Sequence, residues 1–354
     1  MDLDLSADGV TLTAALVDVA SVSGDEKTLT DAVERALEPL PHLDVTRTGN
    51  TVVARTTLGR AERVVLAGHV DTVPHAANFP SSFNTERTVL YGVGTTDMKS
   101  GVAVQLKLAS SLEAPNRDVT YVFYECEEIE AERNGLYLLS RSAPELLEGD
   151  FAILLEGSNG DVEGGCQGTL RAAITVKGAR AHTARSWMGR NAIHAAGEVL
   201  DVLRSWTPRK PAVDGLEYHE GLNAVAISGG VAGNVVPDEC VVTVNYRYAP
   251  DRSPEDAEAY IRQLFAGWPV EVLDNAPGAR PGLTAPVASS FLAAVGGRAR
   301  AKLGWTDVAR FAELGIPAVN YGPGDPAIAH TPGEYVEVAL IAQCEERLRS
   351  WLAA

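Results

Sequence analysis

The first half of the chain alternates short apolar runs with longer stretches of helical periodicity. Three runs are almost wholly apolar: VVLA (64–67), VTYVFY (119–124) and FAILL (151–155). A continuous apolar run is typical of a strand that is buried on both faces, whereas a half-exposed strand alternates apolar and polar residues. Helices are predicted over Gly9–Ala36 and Met98–Leu112. The pattern predicts an α/β domain built on a parallel sheet.

From about Thr169 the order of elements changes. The patterns predict a strand, a helix, two strands, a helix and a last strand, namely Leu170–Val176, Asn191–Arg204, Asn223–Ser228, Cys240–Tyr248, a helix from Ser253, and Val270–Leu273. At Ser253 the sequence Ser-Pro-Glu-Asp supplies a capping residue, a proline and acids for the first turn. The order βαββαβ is the ferredoxin-like arrangement.

The last part of the chain is too short to form a core of its own. The stretch 274–286 is predicted to be a linker, because it is rich in glycine and proline. A helix (Ser289–Leu303), a strand (Ala318–Tyr321) and a helix (Val336–Leu352) follow it. We therefore assign residues 1–168 and 283–354 to one discontinuous α/β domain, and residues 169–282 to an inserted domain.

Composition narrows the class of protein. The 354 residues include 45% apolar and 22% charged residues, which indicates a globular chain. Thirty basic against 47 acidic residues give a net charge of −17, so nucleic acid and anionic membranes are not expected as partners. No apolar stretch reaches the ~20 residues of a membrane helix, and the acidic start of the chain does not resemble a signal peptide. Four scattered cysteines fit a reducing compartment, so we expect a cytoplasmic protein.

Acidic residues and a histidine stand where the predicted buried strands end. The first strand is followed by His69 and Asp71, the second by Glu127 and Glu128, and the third by Glu156. Since ligands of open α/β sheets bind beyond the carboxyl ends of the strands, we expect these groups to converge in one crevice.

Such a group of carboxylates predicts bound cations, because without them the negative charges would repel one another. Histidine nitrogen with carboxylate oxygen suits Zn²⁺, Co²⁺ or Mn²⁺. Two ions need a shared ligand, and Asp97, at a predicted helix start between two ligand loops, is the candidate bridge.

Several motifs resemble those of a known family. They are HVDTVP (69–74), GVGTTDMKSG (92–101), CEE (126–128), LEGS (155–158) and AHTPGEYV (329–336). They resemble the co-catalytic zinc peptidase and deacylase family, which includes aminoacylases and carboxypeptidases. The resemblance covers essentially the whole chain, and it implies a zinc-peptidase-like α/β catalytic domain with an inserted ferredoxin-like dimerisation and lid domain.

The resemblance also implies roles for individual residues. Two Zn²⁺ ions per subunit, replaceable by Co²⁺ or Mn²⁺, would be held by His69 with Glu156 and by Glu128 with His330, Asp97 bridging. Asp71 would orient the imidazole of His69. Glu127 would be the general base that takes a proton from the attacking water and returns it to the leaving amine.

Three further roles belong to the inserted domain. His182 would stabilise the oxyanion in the site of a partner subunit, which implies a homodimer. Asn234 and Arg247 would bind substrate, with the guanidinium of Arg247 gripping a carboxylate.

Two features bear on the choice among family members. Many members carry Asp where Cys126 stands, and a neutral thiol would support the base less. A Glu at position 156 favours an amide-cleaving deacylase or a carboxypeptidase over a peptidase that carries Asp there. Deacylases for different acyl groups share this metal core, so an acetyl-amino-acid deacylase, another aminoacylase or a carboxypeptidase stays open. A metal-dependent amino-acid-binding regulatory module is the alternative from another class.

Overall fold

The computed structural model describes residues 2–353. The strands, in chain order, are β1 (Asp44–Thr48), β2 (Thr51–Arg55), β3 (Arg63–His69), β4 (Ser82–Phe83), β5 (Val89–Tyr91), β6 (Asp118–Tyr124), β7 (Phe151–Leu154), β8 (Val162–Gly164), β9 (Gly168–Lys177), β10 (Ala212–Val213), β11 (Leu216–Glu217), β12 (Gly221–Gly229), β13 (Glu239–Tyr248), β14 (Val270–Ala276), β15 (Ala299–Ala301), β16 (Ala318–Asn320) and β17 (Tyr335–Glu337).

The helices are α1 (Gly9–Val17), α2 (Lys27–Leu37), α3 (Ser100–Ser111), α4 (Gly135–Ser142), α5 (Ala192–Ser205), α6 (Pro254–Leu264), α7 (Pro286–Ala294), α8 (Val308–Glu313) and α9 (Val338–Ala353). Shorter helical turns occupy Thr95–Lys99, Ala131–Arg133, Pro144–Leu146, Thr183–Met188 and Pro326–Ile328. Among residues 2–353, none of these helices combines the length and the apolar character needed to span a bilayer.

The chain divides into two compact units. The first contains the residues up to Gly164, Pro281–Arg300, and the residues from Asp307 onward. The second contains Gly165–Arg280 and Ala301–Thr306. All four cysteines are buried and none forms a disulfide.

An eight-stranded mixed sheet forms the centre of the first unit. Its order is β1-β2-β6-β3-β7-β16-β8-β15, and the first seven of these strands lie wholly in this unit. The pairs β3–β6, β3–β7 and β7–β16 are parallel, which confirms the prediction for the three apolar runs. The outer pairs β2–β6 and β8–β16 are antiparallel, so the sheet is mixed and not parallel throughout. Every residue of β6 and β7 is buried, as continuous apolar runs require.

The second unit has a four-stranded antiparallel sheet in the order β12-β13-β9-β14. With α5 after β9 and α6 after β13, this is the predicted ferredoxin-like arrangement. The predicted start of α6 is confirmed as well, because the hydroxyl of Ser253 accepts from the amide of Asp256 while the Asp256 carboxylate accepts from the amide of Ser253.

Three predicted boundaries are wrong. The single helix over Gly9–Ala36 is two helices, because residues 21–23 leave the helical path and bond to residues 70–72. The helix predicted to reach Leu303 ends at Ala294, where Gly296 and Gly297 take positive φ angles of 117° and 72°. The stretch predicted to be a linker from residue 274 begins as the end of β14.

One close approach brings α3 against the chain that follows β7. A Cβ atom at Gly101 would overlap the carbonyl oxygen of Leu155, the residue before Glu156. Glycine is therefore required at this position by the contact, although it lowers helix propensity.

We expect Gly101→Ala to lower the free energy of unfolding by about 1–3 kcal/mol, because the new methyl group must displace backbone. Gly197→Ala in α5 is the matched control, since a Cβ atom there meets nothing within 4 Å. That change should raise stability by about 0.5–1 kcal/mol through helix propensity. Urea unfolding followed by circular dichroism measures both, and a stabilising Gly101→Ala would contradict the close contact.

Candidate metal centre

Three loops at one edge of the first unit's sheet carry the candidate ligands. β3 ends at His69, and it lies between β6, which leads to Glu127 and Glu128, and β7, which leads to Glu156. Because these three strands are parallel neighbours, their following loops are adjacent. This is the topology that the sequence analysis assumed when it expected these side chains to converge in one crevice.

Asp97 lies between two histidines from different loops. One carboxylate oxygen, Oδ1, is 3.0 Å from Nε2 of His69, and the other, Oδ2, is 3.2 Å from Nε2 of His330. His330 is also 2.8 Å from Oε1 of Glu128. His69 is 3.9 Å from Oε1 of Glu156. The structure thus brings together all five residues that were predicted to bind metal, and we refer to His69, Asp97, Glu128, Glu156 and His330 as the ligand cluster.

The carboxylates of the ligand cluster need positive charge close to them. Hydrogen bonds to Asp97 and Glu128 raise the pKa of His330 to about 10. Burial lowers the pKa of His69, but hydrogen bonds to Asp71 and Asp97 outweigh it and leave that pKa well above the usual value. Burial would raise the pKa of Asp97, yet the two histidines hold it well below the usual value. The positive charge of the protonated histidines therefore balances the negative charge of the carboxylates.

The donor set fits divalent transition-metal ions. Ligand atoms of His69, Asp97 and Glu128 lie within 4.8 Å of one another. Imidazole nitrogen and carboxylate oxygen, without thiolate, suit Zn²⁺, Co²⁺ and Mn²⁺. Two such ions would replace the histidine protons as the source of positive charge, so the residues present fit a dinuclear site.

Asp71 connects His69 to the loop after β6. It is fully buried, and its Oδ1 lies 3.3 Å from Nδ1 of His69. The same carboxylate accepts hydrogen bonds from the backbone amides of Glu127 (3.1 Å) and Glu128 (3.2 Å) and from the hydroxyl of Ser23 (2.7 Å). One side chain thus sets the orientation of the imidazole and the position of the neighbouring loop.

Glu127 lies beside the ligand cluster and keeps a partly accessible surface. Burial raises the pKa of its carboxyl group well above the usual value, although the positive charge of His69 acts to lower it. The carboxylates of Asp307, Glu156 and Glu128 raise it further. A carboxyl group in this environment exchanges a proton more readily near neutral pH than an exposed glutamate does.

Cys126, the residue before Glu127, is held by a buried carboxylate. Its backbone has a φ of 57°, and its amide donates to Oε1 of Glu26 at 3.2 Å. Its thiol lies 3.3 Å from the same oxygen, and burial together with this carboxylate raises the pKa of the thiol to about 12. The thiol is therefore neutral and adds no charge beside Glu127.

Two buried acids near the centre received no role from the sequence. Asp307 accepts a hydrogen bond from the side chain of Asn134 at 2.8 Å and contributes to the field at Glu127. Glu334 accepts from the backbone amides of Thr96 and Asp97, and burial raises its pKa to about 7. Glu334 lies inside the motif AHTPGEYV, which was the available signal for it, whereas Asp307 lies outside the motifs that the sequence analysis singled out.

The other predicted site residues lie in the second unit, at two ends of its sheet. His182 begins the turn Thr183–Met188 and forms an isolated bridge with Val235, next to Asn234. The backbone carbonyl of Asn234 accepts from the amide of Thr183 at 3.0 Å. The structure therefore brings His182 and Asn234 together.

Arg247 lies near the opposite end of β13 from the His182 loop. That loop adjoins Glu239, where β13 begins, and Arg247 is eight residues farther along the strand. Eight steps of antiparallel strand span about 27 Å. The Nε of Arg247 donates to the side chain of Asn245 at 3.1 Å. Within this unit, Arg247 is therefore not brought to His182 and Asn234.

Comparisons with known proteins agree with this geometry. The family model described as peptidase family M20/M25/M40 matches residues 65–354. A succinyl-diaminopimelate desuccinylase of Corynebacterium glutamicum is 44% identical over 365 aligned residues, which cover 99% of this chain and 98% of that protein. A Mycobacterium tuberculosis protein that carries the same name provisionally is 52% identical over 353 residues, 99% of each chain.

Solved structures share the fold. A tripeptidase from Staphylococcus aureus superimposes with a TM-score of 0.80 at 19% identity, covering 99% of this chain and 98% of that one. An M20 family metallo-carboxypeptidase from Sulfolobus solfataricus gives a TM-score of 0.77 at 15% identity, covering 98% of each chain. The family model, the relatives and the shared fold lead to one conclusion: the chain belongs to peptidase family M20/M25/M40, the zinc peptidase and deacylase family that its motifs resemble.

Proposed function

We propose that this protein is an amidohydrolase that cleaves N-succinyl-LL-2,6-diaminopimelate to succinate and LL-2,6-diaminopimelate, a step in the synthesis of lysine and cell-wall precursors. The observation that carries the hydrolytic part is the carboxylate of Asp97, whose two oxygens face His69 and His330. The carboxyl group of Glu127 interacts electrostatically with His69, Glu156 and Glu128 of the same cluster. The names of relatives that are 44% and 52% identical over nearly the whole chain support the substrate. We also propose that the reaction takes place in the cytoplasm, in keeping with four cysteines that form no disulfide.

The ligand cluster would hold two Zn²⁺ ions. His69 and Glu156 would bind one, Glu128 and His330 the other, and Asp97 both. Bound zinc polarises a carbonyl oxygen and lowers the pKa of water. Asp71 keeps the imidazole of His69 in the orientation that presents Nε2 to the ion.

Glu127 would move the proton. Its carboxylate takes a proton from the water that attacks the amide carbonyl, and it returns the proton to the amine nitrogen as the C–N bond breaks. The backbone of Glu127 is fixed by its hydrogen bond to Asp71, so the base keeps its place through both transfers. A metal-dependent binding or regulatory module would have no use for this additional carboxyl group.

His182 would stabilise the negative charge on the carbonyl oxygen. Its Nδ1 accepts a hydrogen bond from the amide of Ala184 at 3.0 Å. In a neutral imidazole the proton is then on Nε2, which becomes a donor for an oxyanion. Asn234, on the adjoining segment, would contact substrate from the same side.

Arg247 would bind a carboxylate of the substrate. N-succinyl-diaminopimelate carries three carboxylates, and a protein with a net charge of −17 must provide local positive charge for them. The guanidinium is partly buried, which strengthens a bidentate ion pair with a carboxylate.

A homodimer reconciles these roles. The loop of His182 adjoins the start of β13, and Arg247 lies about 27 Å farther along that strand. In a homodimer, a substrate could meet His182 of one copy and Arg247 of the other. The outer strand β12 has one free edge, and it exposes Val225 and Ile227 at 56% and 52% of their surface. An apolar edge strand of this kind favours pairing with a second copy.

The substrate is tested by offering N-succinyl-LL-diaminopimelate and N-acetylornithine side by side to the zinc-loaded protein. We expect kcat/KM to be at least about 100-fold higher for the succinyl compound, because a pocket for a second carboxylate gains charge-assisted hydrogen bonds that acetyl cannot make. Preference for N-acetylornithine would leave the assignment of the hydrolytic centre standing and would contradict the proposed substrate. Hydrolysis of neither compound, with zinc bound, would favour the binding module.

The role of Glu127 is tested by Glu127→Gln. We expect kcat to fall by about 10²–10⁴-fold while zinc content stays at the wild-type value, since the amide cannot accept a proton. Elemental analysis of the purified variant gives the zinc content. The exposed Glu130, in the same loop, provides the control Glu130→Gln, which should leave both quantities unchanged. Near-normal turnover by Glu127→Gln would exclude it as the base.

The shared site is tested by mixing inactive Glu127→Gln and His182→Ala proteins under conditions that exchange subunits. If His182 acts on the partner's site, each mixed dimer has one intact site, and an equimolar mixture should regain about a quarter of the wild-type activity. Analytical ultracentrifugation checks that both variants are dimers. Absence of recovery in verified mixed dimers would mean that His182 acts within its own subunit or not at all.

A further inference from the structure

Glu334 is a buried carboxylate that belongs to neither the ligand cluster nor the proton-transfer group. Only 1% of its surface is exposed. Its Oε1 accepts hydrogen bonds from the backbone amides of Thr96 at 3.0 Å and Asp97 at 3.1 Å. The two amides lie in the turn Thr95–Lys99, where Asp97 departs from helical geometry with φ −124° and ψ 91°. This turn therefore cannot satisfy its amides by regular helical bonds alone, and Glu334 supplies an acceptor.

The same segment also carries His330, four residues earlier. Its backbone is joined to the Asp97 region at two more points. The amide of Gly92 donates to the carbonyl of Glu334 at 3.1 Å, and the hydroxyl of Thr96 donates to the carbonyl of Tyr335 at 2.6 Å. β17 then pairs with β5 just before the turn. The segment with His330 is thus fastened to the segment with Asp97.

We propose that Glu334 is a positioning residue for the metal centre, whose side chain fixes the Asp97 turn against the segment that carries His330. Asp97 and His330 approach within 3.2 Å, so a shift of either backbone by a fraction of that distance would separate two ligands of one ion. The proposal depends on the metal assignment in the proposed function, and not on the substrate.

The side chain at position 334 must be long enough to bring an acceptor oxygen to the two amides. The Glu334 carboxylate accepts two amides through one oxygen, so an acceptor must stand at that distance from the backbone of residue 334. Glutamine keeps the length and an oxygen acceptor but loses the charge. Aspartate keeps the charge but shortens the side chain by one methylene. The two substitutions therefore separate positioning from a simple electrostatic effect on the ligand cluster.

The test measures the zinc dissociation constants of the apo-protein by competition with a chromophoric chelator, without substrate. We expect Glu334→Ala and Glu334→Asp to weaken zinc binding by about 10–100-fold, the range for partners that orient ligands. Glu334→Gln should weaken it by clearly less than Glu334→Asp, and the absorption spectrum of its Co²⁺ form should match that of the wild type. The reverse ranking, with Asp binding zinc better than Gln, would overturn the proposal.

Asp118 offers a matched control in the same unit. It is also a buried carboxylate that accepts two backbone amides, those of Leu58 and Arg60, both at 2.8 Å. It stands at the start of β6, whereas Glu127 follows the end of that strand. Asp118→Ala should lower the melting temperature and leave zinc affinity unchanged.

Each outcome bears on a separate claim. Equal loss of zinc affinity in Asp118→Ala and Glu334→Ala would mean that Glu334 acts only through the stability of the fold, and it would overturn the proposal. Should Glu334→Ala fail to fold, the comparison of Asp with Gln decides alone. A wild-type protein that binds zinc but does not hydrolyse N-succinyl-diaminopimelate would overturn the substrate proposal and leave this result standing.

Discussion

The surrounding structure must hold Asp97 in contact with two histidines. The oxygens of Asp97 lie 3.0 Å and 3.2 Å from rings carried by distant segments, and other carboxylates stand close by. Mutual repulsion of these carboxylates would open the site unless their backbones were fixed. Buried acids outside the ligand cluster fix them by accepting backbone amides from the ligand-bearing turns: Asp71 holds Glu127 and Glu128, Glu26 holds Cys126, and Glu334 holds Thr96 and Asp97.

These hydrogen bonds also give the proposed base Glu127 a different environment from its neighbour Glu128. Glu127 and Glu128 are consecutive, yet Glu128 contacts His330, while burial and then the neighbouring carboxylates raise the pKa of Glu127. Asp71 accepts hydrogen bonds from both amides, so one buried side chain sets the positions of the candidate ligand Glu128 and of the proposed base Glu127. The hydroxyl of Ser23, in the stretch where the chain leaves the helical path between α1 and α2, also donates to this carboxylate.

Local patterns predicted elements well where burial alone shapes the sequence. The runs that became β3, β6 and β7 were found because both faces of each strand are covered, and the start of α6 because its cap is formed by neighbouring residues. Predictions failed mostly where distant contacts decide, and once at a local signal, Gly296 and Gly297, that ends α7 early. The break near Ser23 depends on residues 70–72. The short outer strands, such as β15, owe their form to the strand beside them in the sheet.

The sequence by itself determined that acids and a histidine would meet at one edge of a sheet, because parallel buried strands must bring their carboxyl ends together. It also determined the kind of ligand, since the chemistry of nitrogen and oxygen donors does not depend on the fold. Only the tertiary structure showed that Glu26 and Glu334 support the turns that carry the candidate ligands and the proposed base. Glu334 meets the amide of Thr96 across 238 residues of chain, and Glu26 meets that of Cys126 across 100. Such a bond depends on distance and direction in space, and neither is written in the local pattern of the chain.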